Sequence, residues 1–133
     1  MKSPRDHALA LLEKAANDLV AARATLATGE ALDTVCFHAQ QAVEKSLKSV
    51  LALWEVEYPW RHDLGELLEL VKPLVPEVAP LEDRIISLTP FAVEIRYDEE
   101  FEPSMGEATA ALRTASEVYE LIRSIIERSE GKS

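Results

Sequence analysis

The sequence predicts an all-α antiparallel bundle of three long helices joined to one or two short ones. Three observations carry this. Apolar residues recur at three- and four-residue intervals over most of the 133 positions. The seven prolines lie outside the three longest periodic stretches. One segment, "VEIRYDEEF" (93 to 101), alternates as a strand would, and no second alternating run exists to pair with it.

The first helix is expected over residues 6 to 28, where alanine and leucine dominate and Leu9, Leu12, Ala16, Leu19 and Leu26 form the apolar stripe. Pro4 suits its first turn, and Gly29 suits its C-cap because glycine accepts the left-handed conformation that ends a helix. A second helix is expected over 32 to 57, stopping before Tyr58-Pro59, since a residue that precedes proline is disfavoured in the helical region. At about 100° per residue, one arc collects Val35, Cys36, Ala39, Ala42, Val43, Ser46, Leu47, Val50, Leu53 and Trp54. The other collects His38, Gln41, Glu44, Lys45 and Lys48. Phe37 falls amid the polar arc, where an aromatic suits contact with a second subunit. The short connection between these helices implies an antiparallel hairpin.

Residues 59 to 103 are punctuated by Pro73, Pro76, Pro80 and Pro90, and short helices are expected at 63 to 72 and 80 to 95. Asp63 is placed to cap the first of these, with the His62 imidazole beside it at the surface. Ser104 and Glu107 form a capping box, after which Ala108, Leu112, Ala115, Tyr119, Ile122 and Ile126 carry a helical stripe toward the end of the chain. The whole reads as one domain, 1 to 133, with a frayed tail at 129 to 133.

Lys and Arg number 14 against 24 for Asp and Glu, a formal charge of −10. Such a surface repels a phosphate backbone, so general DNA binding is not expected. A local basic patch could still grip a nucleotide or a short RNA, because salt screens distant charges over about 10 Å. Cys36 has no cysteine to pair with and falls among apolar positions, the pattern of a buried structural thiol. No run approaches the ~18 apolar residues of a membrane span, and the amino terminus lacks a signal-peptide pattern; a cytoplasmic protein is expected.

"HD" at 62 and 63 invites a metal phosphohydrolase reading, but no second histidine-bearing motif supplies the remaining ligands. Glycine-rich phosphate loops, nucleophile motifs and zinc-type cysteine pairs are missing as well, so neither metal nor cofactor is expected. Two stretches remain. "RYDEE" (96 to 100) sets Arg96 beside three carboxylates, as a solvated loop or as a phosphate contact. "CFHAQQAVEKSLKSVL" (36 to 51) carries the polar arc, as a site or as a wetted face.

The order of "NDLVAA", "CFHAQQAVEKSLKSVL", "HDLGELLELV", "EIRYDEE" and a final long helix resembles the HEPN domain family, the higher eukaryotes and prokaryotes nucleotide-binding domain, over nearly the whole chain. The resemblance implies a bundle of four to five helices, a homodimer, a role in bacterial defence or toxin and antitoxin pairs, and a minimal nucleotidyltransferase as partner. Many members are metal-independent ribonucleases whose arginine is followed, after four to six intervening residues, by a histidine. Here Arg96 matches the arginine, but Phe101, Glu102 and Pro103 stand where the histidine would fall, and the tyrosine some toxins carry after it is missing too. Cleavage through the ribose 2′-hydroxyl needs a proton acceptor at that place, so a noncatalytic or weakly catalytic nucleotide- or RNA-binding protein is expected.

His38, Gln41, Lys45 and Arg96 are expected to converge on one polar cleft beside the dimer axis, with Lys48, His62 and Tyr97 at its margin and Phe37 in the dimer interface. Two alternatives stand beside this: a ribonuclease whose base is His38 or His62, and a module for a nucleotide or other small anionic ligand.

Overall fold

The computed structural model describes residues 2–58, 63–92 and 102–130. Helix α1, Pro4–Thr28, begins before the predicted residue 6 because a capping box closes its first turn. The Asp6 amide donates to Ser3 Oγ at 3.0 Å, and the Ser3 amide donates to Asp6 Oδ2 at 3.2 Å. Gly29, at φ 73°, ends the helix in the left-handed conformation. Ala8, Leu12, Ala15, Leu19 and Ala22 form the buried stripe. Leu9 was expected on it but is 41% exposed, since it sits one position, or ~100°, past Ala8.

Ala31 turns the chain at φ 51°, and α2, Leu32–Leu53, runs back along α1. The predicted end at residue 57 is corrected to Leu53. Glu55 adopts φ 55°, while the Val56 amide donates to the Leu51 carbonyl at 2.8 Å and the Glu55 amide to the Ala52 carbonyl at 3.2 Å. That pair of bonds is a Schellman closure made without glycine, and it stops the helix ahead of Pro59. Trp54, assigned to the apolar arc, becomes the C-cap and is 41% exposed.

Helix α3, Leu64–Val71, starts as predicted on Asp63, whose Oδ1 accepts from the Gly65 amide at 2.9 Å and the Glu66 amide at 3.3 Å. At its end Lys72 meets Glu69 at 2.8 Å and Glu82 at 2.5 Å, and these carboxylates push its pKa up to about 12. The helix expected over 80 to 95 is instead three pieces: a 3-10 turn at Pro76–Leu81, α4 at Glu82–Ile86, and a second 3-10 turn at Thr89–Ala92. Pro90, in the interior of the expected run, lacks an amide that a continuous helix would use. The strand-like segment 93 to 101 lies outside the described residues.

Helix α5, Met105–Glu130, opens on the predicted box, with the Ser104 amide 3.1 Å from Glu107 Oε1 and the Glu107 amide 3.0 Å from Ser104 Oγ. Arg84 ties α4 to it, donating from Nε to Thr114 Oγ1 at 3.1 Å and from Nη1 to Glu117 Oε2 at 2.7 Å. That guanidinium holds the Glu117 carboxyl below its ordinary range.

The five α-helices of the described residues thus form an all-α bundle with α2 at its centre, between α1 and α5, and with α3 and the 89–92 turn against it. Burial of α2 is deep: Val35, Cys36, Ala39, Ala42, Val43, Leu47, Val50 and Leu51 are inaccessible. Desolvation pushes the Cys36 thiol up to about 11, with Glu107 and Asp33 adding to the shift, so the sulfur is a structural thiol and not a nucleophile. No helix among the described residues is long and apolar enough to cross a membrane.

Candidate functional site

Helix α2 carries three basic side chains, His38, Lys45 and Lys48, and each meets a carboxylate of the same chain. Two of them share one partner. Asp18 of α1 places Oδ1 2.8 Å from His38 Nδ1 and Oδ2 2.6 Å from Lys45 Nζ. His38 and Lys45 lie seven residues apart, about two turns, so they share a face of α2 and one carboxylate can span them. The Asp18 side chain is 11% accessible, against 27% for His38 and 26% for Lys45. A largely buried anion therefore anchors two partly wet groups.

A second chain of polar contacts runs beside it. Gln41 Nε2 donates to Gln40 Oε1 at 2.7 Å, Gln40 Nε2 donates to Glu44 Oε1 at 3.1 Å, and Lys48 Nζ donates to Glu44 Oε2 at 3.0 Å. Lys48 Nζ also stands 5.4 Å from the centre of the Tyr58 ring, within cation–π range. Glu44, read from the sequence as part of the solvated arc, is 3% accessible, and Gln40 is fully buried. Buried carboxylates and amides persist only when hydrogen-bonded, and this ladder supplies those bonds.

Of the expected site residues, His38 and Lys45 meet the same carboxylate, that of Asp18, while Gln41 and Lys48 occupy the adjoining ladder. Phe37 is half-buried and meets the His38 ring edge-on at 5.5 Å between centroids. Arg96, Tyr97 and His62 lie outside the described residues. Asp18 and Gln40 were missed as members of the site, and Glu44 was placed on the polar arc but not among the site residues. The signal for Asp18 was present: a carboxylate amid the 12, 15, 19, 22 stripe of α1 faces the core and requires a partner. Gln40 carries the same signal on α2, four residues after Cys36 and three before Val43.

Chemically, the arrangement can fix a histidine and hold a lysine. When the imidazole is neutral and donates Nδ1–H to Asp18, its lone pair lies on Nε2, across the ring from the buried carboxylate. Lys45 keeps ammonium protons beyond the one it gives Asp18. No group of three or more potential metal ligands occurs among the described residues. A family model described as the HEPN domain matches residues 8–125. No curated protein matches the chain.

Proposed function

The chain belongs to the HEPN domain family, and on that footing we propose that it is a nucleotide- or RNA-binding module, noncatalytic or weakly catalytic, acting in the cytoplasm. It works as one half of a pair with a minimal nucleotidyltransferase, of the toxin and antitoxin kind. The observation that best supports this is the Asp18 carboxylate, which draws His38 and Lys45 together on the accessible side of α2, beside Gln41. On this reading Arg96 completes the phosphate contact, with Lys48, His62 and Tyr97 at the margin. Charge-assisted hydrogen bonds of ~1.5–3 kcal/mol each give micromolar to millimolar affinity for a nucleotide. Isothermal calorimetry with a nucleoside monophosphate tests it: Lys45→Ala and Arg96→Ala each weaken binding several-fold, and unchanged affinity in both returns the face to a purely structural network.

The same reading makes the protein a homodimer through Phe37, which one bundle leaves half-buried on the polar side of α2. Static light scattering then gives about twice the 14.8 kDa chain mass, whereas a monomer at every concentration removes the dimer from the reading.

The Asp18–His38 pair also favours a second reading, a metal-independent ribonuclease that takes its base from His38. RNA cleavage in the presence of chelator, abolished by both His38→Ala and Arg96→Ala, would put this reading first.

A further inference from the structure

Resting on the binding role just described, we propose that His38 makes the site selective for ribose. Its Nε2 accepts a hydrogen bond from the 2′-hydroxyl of a bound ribonucleotide whose phosphate meets Lys45. Three features on one face carry the inference. The Nδ1 side of the ring is committed to Asp18 at 2.8 Å, and that carboxylate is 11% accessible, so the ring is held from within the bundle. The other ring nitrogen lies across the imidazole from that anchor, on a side chain that is 27% accessible. In the neutral ring with Nδ1 protonated, Nε2 is an acceptor with no donor of its own, which suits a hydroxyl and not a phosphate oxygen. The anion falls to Lys45, which is tethered to the other oxygen of the same carboxylate at 2.6 Å and so stands next to the imidazole. A hydroxyl acceptor beside an ammonium matches a nucleotide, in which the 2′-hydroxyl and the 3′-phosphate sit on adjacent carbons. The 2′-hydroxyl is the group that separates RNA from DNA.

In this arrangement Asp18 is a positioning residue. It sets the tautomer, and without it the ring can present Nε2–H instead, which repels a donor. Gln41 and Lys48 belong to the ladder on Glu44 and take no part in reading the sugar.

The test compares one short single-stranded sequence as RNA, as DNA and as 2′-O-methyl RNA, by fluorescence anisotropy on the intact chain. One neutral hydrogen bond is worth a preference for RNA over both analogues of roughly 3- to 10-fold. His38→Ala lowers RNA affinity to the level of DNA and leaves DNA affinity unchanged, while Lys45→Ala weakens both equally. Asp18→Asn shrinks the ratio of RNA to DNA affinity. Equal wild-type affinity for RNA and DNA, or a parallel loss of both in His38→Ala, overturns the proposal. If that equal binding is still weakened by Lys45→Ala, the nucleotide-binding role stands and only ribose selection fails. Binding of neither polymer ends both. Should His38→Ala fail to fold by circular dichroism, His38→Gln replaces it. Nitrogen-15 spectra of the wild-type imidazole then decide independently: a neutral ring protonated on Nε2 overturns the proposal, and one protonated on Nδ1 sustains it.

Discussion

Leu47→Ala lowers the free energy of unfolding by about 3 kcal/mol, as large a stability loss as any single truncation on α2 is expected to cause. In a chain of this length that is on the order of 10 °C in midpoint. Leu47 is inaccessible and lies in the continuous apolar core of the bundle, on its central helix. Truncation leaves a void there, and the helices around it are tied to one another elsewhere: α1 to α2 by Asp18, α1 to α5 by Arg5, and α5 to α4 by Arg84. The site cannot collapse freely, so both the transfer loss and the cavity cost apply. Urea unfolding followed by circular dichroism checks the figure. Val20→Ala provides the contrast, because Val20 is 61% exposed and its truncation is expected to cost less than ~0.5 kcal/mol. A Leu47→Ala loss as small as that of Val20→Ala would mean that α2 is not packed at native density.

Asp18→Ala should move stability and ligand binding in opposite directions. Removing the carboxylate takes one strong contact from Lys45 and one from His38 and severs the polar tie between α1 and α2, at a cost of about 2 kcal/mol. The loss stops short of the 3–5 kcal/mol of a broken fully buried pair because the two orphaned groups, about a quarter accessible, can turn to water. Meanwhile the local charge rises by one, so affinity for a 2′-deoxynucleoside monophosphate, which has no hydroxyl for His38 to read, increases several-fold where the face binds phosphate. A thermal melt and a calorimetric titration on the same sample read both effects. Lower stability with unchanged binding would assign the cluster to architecture alone.

Most of the helical layout was legible because it depends on local chemistry. The Ser104–Glu107 box, the Asp63 cap and the Gly29 stop act within a few residues, and the structure has all three. The end of α2 was misplaced for a different reason. Its stop rests on Glu55 taking a left-handed conformation that side chains other than glycine rarely adopt, which no residue type announces. The region after α3 broke into short pieces because Pro90 removes an amide from the interior of the expected helix of 80 to 95, which gave that proline too little weight. At the site, the seven-residue spacing of His38 and Lys45 was readable from one helix, but their common partner belongs to another. Helical periodicity describes one helix at a time. Glu44 shows the same limit: at ~100° per residue it falls at the border of the two arcs, and only packing decides which side it joins.

The pairing of every basic side chain of α2 with an internal carboxylate has a kinetic consequence. An excess of cations on a face pulls a polyanion in from a distance, whereas the described residues of this face come close to neutral, in a chain whose formal charge is −10. In the proposed role, encounter with RNA is therefore unsteered or weakly opposed, with a rate constant at or below the ~10⁵–10⁶ M⁻¹ s⁻¹ of neutral docking. Added salt screens the repulsion and quickens the approach, the reverse of its usual effect on proteins that bind nucleic acids. In that proposed role, discrimination among ligands then resides in how long a complex lasts after short-range bonds to His38 and Lys45 have formed, and not in how often it is met.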